Sequence, residues 1–339
     1  MTSLPRRFWF AAVCTLALFV SATAAQAQAI KLLPNDTELI VTVNLQQILK
    51  SEVVKANQAI LDLVKSKITE KLEEKGVDKH LNKAGFDLYK DLTSITVAIP
   101  GGRDSGEGFI VLEGNFDADK IEAAAIEVNK DAGNNLKIIK IANVKAFEVA
   151  PKDEKTMYVG ILNANTLIAC ASKADFAEAV ARLNGTKSAS FKADAIKPLL
   201  QTVNNKQSIS IVATSNVIEK LSANNPNAGG DQAKVALIVL KQMEGFSAGI
   251  TIEKNIDFQV GVNTKDKDTA SKFAAFSDKF IQDARGKVAK LAAQNEKLEP
   301  AVAVLQTLRA AAQGNNLMIT GQVTFETLEK LLSNLPLGN

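Results

Sequence analysis

The sequence predicts an α+β fold made of two tandem halves. Each half has the element order β-α-ββ-α-β of a split βαβ unit, with long helices covering one face of an antiparallel sheet. Short segments rich in β-branched residues alternate with long segments whose apolar residues recur every three or four positions. Clusters of Gly, Asn and Pro separate these segments. The same order of elements occurs twice along the chain, which indicates an internal duplication.

Residues 1–29 have the composition of a cleaved secretory signal peptide. Two arginines precede a run of 13 predominantly apolar residues at 8–20, and small residues end the segment. The run is shorter than the ~20 residues that a membrane-spanning helix needs. We therefore expect cleavage after Ala27 or Ala29 and an exported protein of the periplasm or the extracellular space, with no transmembrane segment left. Both the general and the twin-arginine export routes stay open.

The first half is assigned to residues 30–187. It begins with a strand at 38–43, and the apolar spacing predicts one long amphipathic helix at 45–75 that Asn44 is placed to cap. Further strands are predicted at 94–99, 109–112, 136–141, 144–149, 157–162 and 166–170, and further helices at 78–84, 117–128 and 173–183.

The second half is assigned to residues 188–339 and follows a polar joint at 186–195. Strands are predicted at 208–213, 246–252, 256–262 and 316–320, and helices from 215 and at 231–243, 265–295 and 299–312. The corresponding segments of the two halves are 38–49 and 208–219, 94–126 and 247–279, and 166–183 and 316–332. Two arrangements stay open: the halves share one sheet, or they form two lobes that flank a groove.

Two short motifs carry a family resemblance. The turn Leu33-Pro34-Asn35-Asp36-Thr37 leads into a strand, and Gly85-Phe86-Asp87-Leu88-Tyr89-Lys90-Asp91-Leu92-Thr93-Ser94-Ile95 precedes another. Together they resemble exported bacterial proteins of uncharacterised function that are built from such repeats. The resemblance implies no activity, cofactor or substrate. Physically, Gly85 is typical of a helix stop, and Asp87 or Asp91 of an acid that caps the next turn.

The charge of the chain argues against nucleic acid as a partner. Without the leader, 38 basic residues face 37 acidic ones, because the leader holds two of the 40 basic residues and no acid. Only four arginines remain among these basic residues, and the single Trp is lost with the leader. Recognition of nucleic acid relies on clustered arginine and on aromatic side chains that stack on bases.

Nucleophilic catalysis and zinc binding find little support. After removal of the leader the chain keeps one imidazole, His80, and one thiol, Cys170. His80 lies in a polar segment typical of a solvated surface, and Cys170 lies in an apolar strand where a lone Cys usually fills space. No Gly-x-Ser-x-Gly elbow is present. Zinc usually takes three or four ligands from His, Cys and acids. We assign no catalytic, cofactor-binding or metal-binding residue.

Acid clusters are the remaining candidates for Ca²⁺ or Mg²⁺. These are Asp117 with Asp119, Asp266 with Asp268, and Glu70 with Glu73 and Glu74. None has the spacing of an EF-hand loop. The two Asp pairs begin predicted helices, where carboxylates interact favourably with free backbone N–H groups. The glutamates alternate with lysines, which is typical of a solvated helix face.

Two features could contact a partner. The Gly-rich segment 101–108 lacks the Gly-Lys-Ser/Thr ending of a phosphate loop and is expected to be a hairpin loop, available as a binding edge. The long helices 45–75 and 265–295 have wide apolar stripes. Core packing is expected for both, with Phe273, Phe276 and Phe280 buried against the sheet. A lipid-binding groove and adsorption to an anionic membrane are the alternatives.

These observations favour an exported non-catalytic binding or structural module of the bacterial cell envelope. Its partner would be another macromolecule or a lipid-like ligand. One alternative is an acid-based hydrolase or lyase that acts on an envelope polymer, because paired carboxylates cannot be assigned from sequence. Another is a carrier of an apolar ligand, with a cavity under the long helices.

Overall fold

A computed structural model describes residues 28–74, 81–102, 107–131, 136–150, 155–203, 206–223 and 241–333. In these ranges the protein is a mixed α/β structure built on a single antiparallel sheet of twelve strands. The strands are β1 (Thr37–Asn44), β2 (Leu92–Pro100), β3 (Phe109–Gly114), β4 (Leu136–Ile141), β5 (Val144–Val149), β6 (Met157–Asn163), β7 (Thr166–Cys170), β8 (Ile209–Thr214), β9 (Met243–Ile252), β10 (Ile256–Thr264), β11 (Arg309–Gln313) and β12 (Asn316–Val323).

Helices connect these strands and pack on the sheet. They are α1 (Leu45–Lys50), α2 (Glu52–Ala56), α3 (Gln58–Glu74), α4 (Leu88–Asp91), α5 (Ala118–Asp131), α6 (Lys173–Leu183), α7 (Ile196–Thr202), α8 (Ser215–Ala223), α9 (Lys267–Ala292), α10 (Glu299–Thr307) and α11 (Phe325–Ser333), with a 3₁₀ turn at Glu296–Leu298. None of the helices in the described part of the chain is long and apolar enough to cross a bilayer.

The spatial order of the sheet is β11-β12-β10-β9-β8-β1-β2-β3-β7-β6-β5-β4. At its centre β1 pairs antiparallel with β8, and Val41 lies opposite Ile211. The strands of residues 30–187 therefore lie on one side of this pair and those of residues 188–339 on the other. This pairing answers the question that the sequence left open, because the two sets of strands share one sheet.

Helices pack on both faces of the sheet, which corrects the expectation that they cover one. Residues directly opposite each other in antiparallel strands share a face, so the register assigns each contact to a face. Phe176 of α6 packs over Gly160, Leu199 of α7 over Gly245, and Leu308 after α10 over Gly321. The register places Gly160 and Gly245 on one face and Gly321 on the other. A stripe of apolar residues does not say which face of a sheet its helix covers.

The predicted single helix at 45–75 is three helices. Ser51 is extended and ends α1, and its side chain accepts a hydrogen bond of 3.2 Å from the Val54 N–H at the start of α2. Asn57 then separates α2 from α3, and its side chain donates to the Val53 carbonyl at 2.8 Å. Ser and Asn bond to the nearby backbone in this way and compete with helix continuation. Asn44 is not a side-chain cap, because it donates to the Gln207 carbonyl across the β1–β8 pair.

The helix predicted at 299–312 is shorter and gives way to a strand. α10 ends at Thr307, and β11 begins at Arg309. The Thr307 hydroxyl donates to the Gln322 carbonyl at 3.0 Å and accepts from the Gln322 N–H at 2.9 Å, which ties the chain to β12. The alanines of β11 are good helix formers, so strand pairing overrides their propensity.

Helix α7 was not predicted, because the segment before it has the composition of a polar loop.

Several predictions are confirmed. β2 and β3 form a hairpin, as do β9 and β10. Gly85 has a φ of +62° and follows a helical turn, with Gly85 N–H bonded to Asn82 and Phe86 N–H bonded to Leu81. This is a Schellman stop. Asp87 caps α4 by accepting from the Tyr89 N–H at 3.0 Å.

The segment before β1 belongs to the hydrophobic core. Ala29, Leu32 and Leu33 are at most 1 % exposed and pack in the same cluster as residues of α6 and α7. Arg182 of α6 fixes this segment, with a side chain only 1 % exposed. Its guanidinium donates to the Leu32 carbonyl at 3.2 Å, to Asn35 Oδ1 at 2.9 Å and to Glu178 Oε2 at 2.6 Å.

We expect Arg182→Met to lower the free energy of unfolding by about 2 kcal/mol, because the buried Leu32 carbonyl loses its donor and Asn35 Oδ1 keeps only the bond from the Ser190 N–H, while the aliphatic volume is kept. Denaturant unfolding monitored by circular dichroism measures the change. Lys187→Met is the matched control, since Lys187 also pairs with Glu178 but is exposed, and its loss should cost less than about 0.5 kcal/mol. Equal losses for the two variants would show that Arg182 does not hold the segment.

Candidate functional site

The structure gives the acid pairs the structural role that the sequence favoured. Asp117 accepts from the Lys120 N–H at 3.1 Å, and Asp266 accepts from the Thr269 N–H at 2.7 Å. These backbone N–H groups lower the pKa of both carboxyls. Asp119 and Asp268 lie in the first turns of α5 and α9. In the described part of the chain, no three His, Cys, Asp or Glu residues come together as a metal site would require.

The other acid cluster and the Cys170 thiol do not come together in a shared site among the described residues. Glu70 and Glu74 form exposed ion pairs with Lys67 and Lys71 of the same helix, and Glu73 is exposed. Cys170 is buried in β7, where its thiol donates to the Ser172 carbonyl at 3.3 Å. His80 lies outside the described residues, as do residues 103–106 of the Gly-rich loop. Gly101 follows β2, and its N–H donates to the Asp36 carbonyl at 2.6 Å.

A buried carboxyl that the sequence did not indicate lies in β3. Glu113 is 4 % exposed and accepts a hydrogen bond of 2.5 Å from the Ser94 hydroxyl of β2. Burial raises the pKa of Glu113, and the bond from Ser94 partly opposes that effect. The register sets Asn44, Ser94, Glu113 and Thr166 side by side across four strands. The strand predicted at 109–112 ends one residue before Glu113, so this acid was not considered from the sequence.

An open apolar groove lies beside α9. Its volume is about 250 Å³, more than the ~150 Å³ of an apolar cavity that holds benzene. We call it the α9 groove. It is lined by Phe276, Ser277, Phe280, Ile281, Ala284, Leu305, Leu308 and Ile319. Seven of these eight side chains are apolar, so the groove suits an alkyl or aromatic group.

The two phenylalanines of the groove are exposed, and their predicted burial was wrong. Phe276 and Phe280 are 68 % and 67 % exposed, whereas Ile281 on the same helix is 5 % exposed. Ile281 faces the sheet. Phe280 precedes Ile281 by one residue, so its side chain points about 100° away from that of Ile281 around the helix axis. Phe273 is half-buried. The correct helix was identified, but spacing alone did not fix how it is rotated on the sheet.

Arg285 fixes the wall of the groove opposite the phenylalanines. Its guanidinium donates to the Leu305 carbonyl at 2.9 Å and to the Leu308 carbonyl at 2.6 Å. Cations near the last carbonyls of a helix are favourable, because those carbonyls lack partners within the helix. Arg285 therefore holds the end of α10 against α9 and keeps Leu305 and Leu308 in the groove wall.

No protein-family model matches the chain, and no curated protein is significantly similar to it. Among solved structures, crystal forms I, III and IV of a protein titled TP0453 give TM-scores of 0.41, 0.44 and 0.42. They are 10 %, 10 % and 9 % identical to the chain and cover 89 %, 90 % and 89 % of it, and 95 %, 97 % and 95 % of their own lengths. Scores this low support no inference about this protein.

We expect Glu113→Gln to remove one pH-dependent part of the stability. A carboxyl whose pKa is raised in the folded state stabilises the fold fully below its ordinary pKa of 4.5, and that contribution is lost as the pH rises through the folded-state pKa. The glutamine variant should therefore gain stability relative to the parent as the pH rises above 4.5. Denaturant unfolding at several pH values measures this difference, with exposed Glu70→Gln as the control. A difference that does not change with pH would contradict the assignment.

Proposed function

We propose that this protein is an exported, non-catalytic binding module of the bacterial cell envelope, and that it holds an apolar group of its partner in the α9 groove. The observation that carries the proposal is the pair of exposed phenylalanines at an open groove whose other lining residues are aliphatic except for Ser277. Isolated exposed apolar residues are common on proteins, but a contiguous apolar concavity is typical of a binding site.

Of the two segments predicted as long helices, the one at 265–295 borders the groove and the one at 45–75 does not. Residues 45–74 form the short helices α1 and α2 and then α3, whereas the groove is formed by α9, the end of α10 and β12. Its volume suits one alkyl chain or one aromatic ring rather than a whole lipid. We therefore favour capture of one apolar group of a larger partner over enclosure of a free ligand.

The hydrolase alternative receives less support from the geometry. The sequence assigned no acid pair to it. Asp117 and Asp266 cap helices through their oxygens, and the buried Glu113 is bonded to Ser94 within the sheet. A glycosidase-type site needs two carboxyls across a cleft, typically ~5–10 Å apart. These three acids instead have partners that account for their positions.

We also propose that residues 30–187 and 188–339 are two copies of one ancestral unit. The strand order outward from the centre is β1-β2-β3-β7 on one side and β8-β9-β10-β12 on the other, which supports the proposal. The N–H of Gly114 bonds to the Asn165 carbonyl at 3.0 Å, and the N–H of Thr264 bonds to the Asn315 carbonyl at 2.9 Å. Both residues of the second bond lie 150 positions after those of the first.

We expect Ala284→Phe to weaken binding of the fluorescent apolar probe N-phenyl-1-naphthylamine at least ~10-fold, because the new ring fills the groove. Fluorescence titration of the exported full chain measures the dissociation constant. Ala275→Phe is the matched control, since it lies nine residues away on the opposite side of the helix and is exposed. Equal affinity of Ala284→Phe and the parent, or no probe binding by the parent, would contradict the proposal.

We expect the mature chain to begin at Gln28 rather than at Ile30. Cleavage after Ala29 would remove a side chain that is 0 % exposed in the core, whereas cleavage after Ala27 keeps it. The intact mass of the protein recovered from the periplasm or the medium measures the terminus. A mass that starts at Ile30 would contradict this expectation, and a mass that includes the leader would contradict export with cleavage.

A further inference from the structure

The exposed side of α9 carries three large apolar side chains. Phe276 and Phe280 are about two-thirds exposed, and Leu291 is 54 % exposed. Because each residue turns the helix by ~100°, these three lie within about 60° of one another around its axis. They therefore form a single line of about 22 Å along the helix, at a rise of ~1.5 Å per residue. One edge of this line opens into the α9 groove.

Four lysines accompany this line. Lys287 lies between the apolar positions around the axis, and the other three lie within ~60° on one side of Phe276. All four are exposed: Lys272, Lys279, Lys287 and Lys290. Within the described residues none of the four lies within 4.0 Å of a carboxylate oxygen, although the charge of Lys272 contributes to the lowered pKa of Asp266 at the start of α9. We call these lysines together with Phe276, Phe280 and Leu291 the basic-aromatic stripe.

The charge of the stripe is uneven. Asp283 lies among the lysines and is exposed, so four positive charges meet one negative charge and the net charge there is +3. The mature chain as a whole is nearly balanced, with 38 basic and 37 acidic residues. The excess of positive charge beside exposed phenyl rings therefore distinguishes this side of α9 from the chain as a whole.

We infer that the basic-aromatic stripe docks on the surface of a lipid bilayer that contains anionic lipids. Helices that lie in the membrane interface combine large apolar side chains with lysines, and their apolar face enters the headgroup region by ~5–10 Å. Lysine ammonium groups are attracted electrostatically to anionic headgroups. Their methylene chains can lie in the apolar region while the charge stays at the interface. The inference deepens the proposed function, because an acyl chain at that surface would enter the α9 groove between the same two phenylalanines.

The fold presents the stripe without rearrangement. Ala270 and Ile281 bury the other side of α9, and Arg285 bonds it to the end of α10.

The charge of the stripe favours a lipid bilayer over a second copy of the chain as the partner that covers it. In a two-fold symmetric pair the same patch faces itself, so two stripes of net charge +3 would oppose each other. Anionic headgroups complement the stripe instead.

The test is sedimentation of the exported full chain with vesicles of phosphatidylcholine alone or with 30 % phosphatidylglycerol. The parent should bind the anionic vesicles at least ~10-fold more strongly, and 0.5 M NaCl should remove most of that preference, because salt screens surface charge. Phe276→Ala with Phe280→Ala, and Lys279→Gln with Lys287→Gln, should each lower the partition coefficient at least ~5-fold.

Matched controls come from β4, at the other edge of the sheet. Ile138→Ala removes another exposed apolar side chain, and Lys137→Gln with Lys140→Gln removes two exposed lysines. These controls should bind like the parent. Loss of binding in the controls equal to that in the stripe variants would overturn the inference, as would no binding to anionic vesicles or a self-associated parent in light scattering.

Binding of N-phenyl-1-naphthylamine in the absence of vesicles keeps the two proposals apart. Probe binding without vesicle binding would leave the groove as the site and reject the bilayer as its partner. Vesicle binding without probe binding would support the stripe and reject the groove. Circular dichroism of each variant shows whether a loss of binding reflects unfolding.

Discussion

The antiparallel pairing of β1 with β8 is the constraint on which the rest of the structure depends. It joins the strands of residues 30–187 to those of residues 188–339 in one twelve-stranded sheet, and Val41 lies opposite Ile211 where the two sets meet. Because β1 is anchored there, the segment before it is held where Ala29, Leu32 and Leu33 complete the core. Arg182 then donates to the buried Leu32 carbonyl and to Asn35 Oδ1, which ties this segment to α6.

Eleven of the twelve strands in the described sheet could be predicted because alternation and turn residues are local signals, whereas β11 was predicted as the end of a helix. The joining of the halves could not, since strand pairing across 170 positions leaves no trace in local spacing. The breaks at Ser51 and Asn57 were missed because a regular apolar spacing continues through both residues. What ends the helices there is a set of side-chain hydrogen bonds to the backbone.

At the candidate site, local spacing predicted the helix α9 but not which of its sides faces the sheet. The spacing of Phe273, Phe276 and Phe280 identified α9 as amphipathic, but the packing of Ala270 and Ile281 turns Phe276 and Phe280 outward. The wall formed by Leu305 and Leu308 depends on Arg285, which the sequence offered only as one of four remaining arginines. Capping roles for Asp117 and Asp266 were predictable, because each begins a helix.

The proposed function requires that an apolar group of the partner enters the α9 groove beside Phe276 and Phe280. Fluorine NMR of the chain labelled with fluorophenylalanine reports on those rings directly, with Phe176 in the core as an internal reference. On addition of decanoic acid, the account predicts that the resonances of Phe276 and Phe280 shift with a common dissociation constant while that of Phe176 stays in place. Resonances of Phe276 and Phe280 that do not move, or a shift of all three together, would contradict it.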